Sequence, residues 1–207
     1  MTPLSRRGFA AAALATLLTG CGGPPDRPAA TQESTKDGAT ASTASTGTGA
    51  APRPLARSVP VRLLIPAIDV DTPLLRLGLA ADRSVQVPPI TAHDRAGWYR
   101  HSPTPGQVGP SVILGHVTVG PYGDGVFRHL ARLRRGETVV ARLENGARAE
   151  FAVTRVRTVA KAQFPADEVY GDVDRPELRL ITCGGPHTGD GYRDNVIVYA
   201  ALSDTAR

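Results

Sequence analysis

Thr138-Val139-Val140-Ala141-Arg142-Leu143 runs through Glu144-Asn145-Gly146 into Ala149-Glu150-Phe151-Ala152-Val153-Thr154-Arg155-Val156. Two β-branched segments joined across Asn-Gly are a hairpin signal, because both residues tolerate the positive φ that a tight turn needs. The flanking sequence reads the same way. Val61-Arg62-Leu63-Leu64-Ile65 and Ala67-Ile68-Asp69-Val70 are β-prone runs divided by Pro66, and Ser84-Val85-Gln86-Val87 is stopped by Pro88-Pro89. Ser111-Val112-Ile113-Leu114-Gly115 is a compact apolar run that ends at His116. Residues 178–182 and 195–200 supply the last two strands. Short strands broken by Gly and Pro predict an all-β domain, either barrel or sandwich. Closure removes exposed strand edges and so favours the barrel. Residues 126–133 and 166–170 are expected to form helical turns or short helices.

The chain has 207 residues, and its first 57 differ in character from the rest. Ser5-Arg6-Arg7-Gly8-Phe9 sets paired arginines before a short apolar stretch that ends near Leu18. Charge, then about ten apolar residues, then small residues is the pattern of an export signal. The arginine pair resembles a twin-arginine signal. Leu18-Thr19-Gly20-Cys21 resembles a lipoprotein processing site, in which the Cys21 sulfur takes a diacylglyceryl group. Two acyl chains hold a protein on a membrane far better than one. The alternative is an ordinary cleaved signal with Cys21 incidental and the protein secreted. Residues 22–57 are rich in Ala, Thr, Ser, Gly and Pro without periodicity, which predicts a disordered linker. The expected organisation is therefore an export signal over 1–21, a linker over 22–57 and a folded domain over 58–207, working outside the cytoplasm. Membrane contact is expected only through the N-terminal anchor.

Composition narrows the function. A charged fraction of 21% and a hydrophobic fraction of 41% suit a soluble domain, and no apolar run reaches the length of a membrane-spanning helix. The formal charge of +5 is carried by scattered arginines, with no zinc-finger spacing or aromatic RNA-binding motif, so nucleic acid is not the expected partner. His93, His101, His129 and His187 pair with no ligand at metal spacing, and no acidic run has calcium-loop spacing. Neither metal nor cofactor is expected. The glycine-rich segment 184–191 lacks the Lys-Ser/Thr ending of a phosphate loop and reads as a mobile loop. Trp98 and Tyr99 read as core or rim packing.

With Cys21 assigned to processing, Cys183 is the domain's one thiol. It follows the strand 178–182 and precedes Gly184-Gly185-Pro186, with Arg179, Ile181 and Cys183 on one face and Leu178, Leu180 and Thr182 on the other. If strands 178–182 and 195–200 are antiparallel neighbours, Arg193 lies beside Cys183. His116 ends its own strand in the same way. A thiol attacks as thiolate, an imidazole takes its proton and returns one to a leaving amine, and a guanidinium offers donors to a developing oxyanion. Together they suit acyl transfer through a thioester. Taken singly, each of the three is more often structural: a buried cysteine, a satisfied histidine, a surface ion-pair partner.

Leu180-Ile181-Thr182-Cys183 resembles the Thr-Leu-Thr-Cys signature of the sortases, with Leu180 where Thr often stands. Val112-Ile113-Leu114-Gly115-His116 resembles their histidine strand, and Tyr192-Arg193-Asp194-Asn195-Val196-Ile197-Val198 their arginine strand. Phe164-Pro165-Ala166-Asp167-Glu168-Val169-Tyr170-Gly171 and the segment 176–185 look like the class F sortases of actinobacteria. The resemblance implies an eight-stranded barrel. It also implies a transpeptidase that cleaves a Leu-Pro-X-Thr-Gly-like sorting signal after Thr and passes the acyl group to an amine, such as a peptidoglycan cross-bridge. Surface proteins are anchored to the cell wall in this way. By resemblance Cys183 is the nucleophile, His116 the general acid and base, Arg193 the oxyanion and substrate partner, and Thr182 a residue lining the substrate site. Sortases commonly carry an N-terminal membrane helix, from which this lipoprotein-like start departs. The expected enzyme is a monomer. The alternatives are an exported cysteine peptidase and a non-catalytic lipoprotein that binds the wall.

Overall fold

The strand from Arg148 to Ala160 alternates buried and more exposed residues as far as Thr154, pairs on both edges, and sets the frame of the barrel. The computed structural model describes residues 52–189 and 191–203, so the expectations for 1–21 and for 22–51 lie outside the described residues. Within them ten strands form. In chain order they are β1 (Pro60–Ile65), β2 (Val70–Leu77), β3 (Ala96–Tyr99), β4 (Gly109–Leu114), β5 (Thr118–Val119), β6 (Gly123–Asp124), β7 (Thr138–Leu143), β8 (Arg148–Ala160), β9 (Pro176–Thr188) and β10 (Gly191–Leu202). Eight close a barrel in the order β1-β2-β3-β4-β9-β10-β8-β7, and β5 pairs with β6 apart from it. The barrel, not the sandwich, is the fold. Leu55 lies upstream of the expected domain start, yet it packs against the core and its N–H donates to the Gly106 carbonyl at 2.8 Å.

Two pairings are parallel, β2 with β3 and β4 with β9. A parallel pair puts both C-terminal ends at the same edge and needs a long crossover. For β4 and β9 that crossover holds β5 to β8 and the short helix α1 (Ala166–Tyr170). The barrel interior is packed by Leu63, Trp98, Ile113, Phe151, Leu178 and Val198 among others. A second apolar cluster lies on the outer face, where Val112, Leu114, Ile181 and Ile197 are covered by Val169 of α1. Burial on both faces explains why residues 112–114 of β4 and 196–200 of β10 are continuous apolar runs.

Several local expectations are revised. Pro66 opens a 3-10 turn, Pro66–Ile68, and Asp69 turns left-handed at φ 55, so residues 67–69 are not a strand; β2 starts at Val70 and runs on to Leu77. Residues 84–87 form one isolated bridge, Leu79 to Val85, and no strand. Residues 126–133 hold only the 3-10 turn Leu130–Arg132, while 166–170 are α1 as expected. Gly97 and Trp98 belong to β3, where a side chain at 97 would strike Leu77 at 2.5 Å. The segment after Cys183 is not a loop, because β9 continues to Thr188 and pairs His187 with Tyr192.

Candidate active site

The parallel register of β4 and β9 runs from Gly109 opposite Pro176 to Leu114 opposite Ile181. Gly115 N–H donates to the Ile181 carbonyl at 3.1 Å and carries the pairing one residue further. His116 and Cys183 each stand two residues past the same rung. The approach leaves no room at 115, where a Cβ would lie 2.6 Å from the Phe127 ring. Phe127 N–H donates to the His116 carbonyl at 2.9 Å, fixing the backbone as it leaves the barrel. The imidazole is fixed as well, since its Nε2 lies 2.7 Å from the Pro88 carbonyl oxygen. A carbonyl only accepts, so Nε2 carries the proton, and in the neutral ring Nδ1 is the free base.

Cys183 is half-buried, lies within β9, and faces Asn195 of β10. Between Tyr192 and Asp194 the register shifts, so that Gly185 and Pro186 together oppose Arg193. Such a bulge bends the strand and re-aims its side chains. Gly185 serves it with φ 73, and a side chain there would run into the Asp194 carboxylate. Arg193 is exposed and two residues from Asn195, which makes it a diagonal neighbour of Cys183, about 7–8 Å away at the backbone. Thr182 points the other way. It is 4% exposed, and its Oγ1 has no hydrogen-bond partner among the described residues. It lines a cavity of about 270 Å³ at the barrel mouth together with Cys183, Gly185, Tyr192 and Arg128. Tyr192 is tied to Thr118 of β5 by a 2.6 Å bond between their hydroxyls and packs edge-on against His187 at 4.8 Å.

The fold thus brings His116, Cys183 and Arg193 to one end of the barrel, with Thr182 behind the thiol. Cys21 lies outside the described residues. The Pro88 carbonyl and Asn195 were not foreseen. Pro88-Pro89 carried only a strand-stop signal, and a backbone oxygen has no signature in sequence. Among the described residues no three His, Cys, Asp or Glu side chains group closely enough to hold a metal ion. No helix among them is long and apolar enough to cross a membrane.

A thiol, an imidazole and a guanidinium gathered at one end of a closed barrel are the equipment of acyl transfer through a covalent thioester. A sequence model described as the sortase domain matches residues 63–203. The chain belongs to the sortase family, the cysteine transpeptidases that act on sorting-signal substrates and amine acceptors. Solved structures agree in fold. Sortase A from Corynebacterium diphtheriae matches with a TM-score of 0.55 and 18% identity over 73% of this chain and 63% of that one, so the match spans less than two thirds of that protein. The sortase SrtA from Actinomyces oris matches with a TM-score of 0.53 and 24% identity, over 75% of this chain and 87% of that one. A sortase D5 transpeptidase from Clostridium perfringens matches with a TM-score of 0.52 and 19% identity, over 72% and 82%. Comparison with curated protein sequences gives no match.

Proposed function

We propose that this protein is a class F sortase which cleaves a Leu-Pro-X-Thr-Gly-like signal between Thr and Gly and joins the new acyl end to an amine. The register that sets His116 and Cys183 past one rung of a parallel pair is the observation that carries the reading. In the first step the Cys183 thiolate attacks the Thr carbonyl carbon, and an S–C bond forms. Arg193 faces the developing oxyanion with its fork of donors. The C–N bond to Gly breaks as His116 gives a proton to the departing amine. In the second step the acceptor amine attacks the thioester, His116 removes its proton, and Cys183 leaves as thiolate. Thr182 lines the site behind the sulfur. The acceptor is a peptidoglycan cross-bridge amine, and the product is a surface protein fixed to the cell wall.

Residues 1–21 would direct export, and a diacylglyceryl thioether on Cys21 would hold the enzyme on the outer membrane face. With Leu55 packed on the barrel, a linker over 22–51 would give the domain a reach of roughly 27–33 Å. The enzyme would act as a monomer.

Mass spectrometry of the chain lacking its first 21 residues, mixed with a Leu-Pro-X-Thr-Gly peptide library and a simple amine, tests the reaction. Cleavage after Thr with amine joined to the product, absent in Cys183→Ala, is expected. Cleavage to the free acid at every amine concentration would instead make the protein a peptidase. No cleavage and no labelling of Cys183 by a thiol reagent would leave a binding module. Retention of Cys21→Ser in the membrane fraction would overturn the lipid anchor.

A further inference from the structure

α1 is five residues long, and no side chain caps its N-terminus. So short a helix has little stability of its own, and tertiary anchors must hold it. Two anchors are present. Val169 is fully buried in the outer cluster with Leu114 and Ile181, the last rung before His116 and Cys183. Its neighbour Glu168 turns the opposite way, toward β8 and β10. Arg155 Nη2 donates to Glu168 Oε2 at 2.7 Å, and Arg157 Nη1 donates to both carboxylate oxygens at 2.9 Å. The Tyr199 hydroxyl donates to Oε2 at 3.4 Å, and the buried Arg179 donates from Nε to the Glu168 backbone carbonyl at 3.3 Å. Arg155 and Arg179 lie over the Tyr199 ring at 4.1 and 4.7 Å.

A lone surface ion pair does little, because two long side chains must be ordered to make it. Here the ordering is shared. Tyr199 stacks Arg155 in place, and one carboxylate serves two guanidiniums and a hydroxyl. The remaining side of α1 is the informative one. Ala166 and Tyr170 line a cavity of about 600 Å³ with Leu79, Val85, Tyr99 and Phe164. Val85, Tyr99 and Phe164 also pack on the outer cluster that ends at the catalytic rung. A peptide laid along the outer face toward Cys183 therefore has α1 as one wall.

We propose that Glu168 is a positioning residue for the donor peptide: held by Arg155 and Arg157, it sets the place of α1 and so the width of the groove. This rests on the reading of Cys183 as the sortase nucleophile. Removing the carboxylate frees one anchor of the wall and leaves the thiol end untouched. Loss of uniform substrate binding raises KM without lowering kcat.

The test compares wild type, Glu168→Gln and Glu168→Ala, with Arg62→Met as a control that breaks the Arg62–Asp71 surface pair elsewhere. Amide hydrogen exchange is read over residues 166–170, kinetics with the cleaved sorting peptide, and Cys183 alkylation with a small reagent. Expected in both Glu168 variants are faster exchange in α1 and a KM about three- to tenfold higher, with kcat within about twofold. Alkylation is unchanged, and Arg62→Met behaves as wild type. Unchanged exchange would overturn the anchor. Faster exchange with an unchanged KM would overturn the positioning role, and so would a parallel loss of kcat and alkylation. Exchange is read without substrate. A wild type that cleaves nothing would fail the functional reading, and exchange would still decide whether Glu168 holds α1.

Discussion

Arg193 owes its place to backbone geometry. It opposes two residues of β9 at a bulge, and alternation along β10 from Asn195 puts this exposed residue on the face that bears Cys183. A planar fork of donors matches an oxyanion, whereas an ammonium is a compact charge on a flexible stem. Arg193→Lys should therefore lower kcat about 100-fold while KM moves less than about threefold, as for loss of an oxyanion donor. Steady-state cleavage of the sorting peptide checks this. A lysine variant close to wild type would mean that charge alone is enough. Gly115 makes the complementary case. Its added methyl would meet Phe127 Cδ2 at 2.6 Å and Val126 Cγ1 at 2.7 Å, and both belong to the segment that braces His116. Gly115→Ala should cost about 1–3 kcal/mol of stability in urea unfolding, the usual range for overpacking. Activity should fall further than the lost folded fraction explains, because the His116 rung is displaced from Cys183. Loss of activity that tracks the folded fraction would refute that account.

Glu177 on β9 is 8% exposed and pairs with Arg179, itself 3% exposed, at 2.6 Å, and with Arg175 at 2.6 Å. Burial pushes the Glu177 carboxyl up, but hydrogen bonds from Arg179 and Arg175 outweigh it and hold the carboxyl below the usual range. A depressed carboxylate stabilises the fold above its unfolded range, and that contribution is lost as pH falls through the folded value. Glu177→Ala leaves a buried guanidinium short of its counter-ion and should cost about 3 kcal/mol at neutral pH. The double variant Glu177→Leu, Arg179→Met removes both charges and should restore most of that loss, with a flatter decline of stability toward acid. Urea midpoints measured from about pH 7 down to about pH 4 decide it. A double variant as weak as the single one would show that Arg179 is needed for its stacking on Tyr199. At this scale sequence was a good guide where an element carries its own signal. Asn145-Gly146 sits in the β7–β8 turn, with Gly146 at φ 83. β4 and β10 could be read because burial on both faces made residues 112–114 and 196–200 apolar. β3 could not, since its four residues include two that pack only through β2 and β4, Gly97 under Leu77 and Trp98 in the barrel. Nor could the role of Glu168, because its partners lie 11 and 13 residues away on another element.

The closed ladder ties the site to the entire domain. His116 and Cys183 come to the same end of the barrel because β4 and β9 are adjacent. That adjacency depends on β3 to one side, on β10 to the other, and on the remaining strands that bring the edges round. The three segments were therefore readable as strands in the sequence, while their juxtaposition depends on a crossover that no motif encodes. A closed barrel has no free edge strand to fray first, so opening any seam exposes the shared interior. The single tryptophan tests this well. Trp98 is 2% exposed in β3, two seams from β9, and its Nε1 donates to the Pro103 carbonyl at 3.2 Å. Its fluorescence reports the barrel wall, Cys183 reactivity reports the mouth, and far-UV circular dichroism reports the strands as a whole. In urea the three transitions should coincide, as for a two-state domain. Phe151→Ala, which empties a fully buried site in the interior, should shift all three together by about 3–5 kcal/mol. If Cys183 became reactive well before Trp98 was exposed, the β9–β10 end would be opening as a separate unit. The reach of the thiol toward its peptide would then be governed by local unfolding at the mouth, not by the rigid barrel that the register describes.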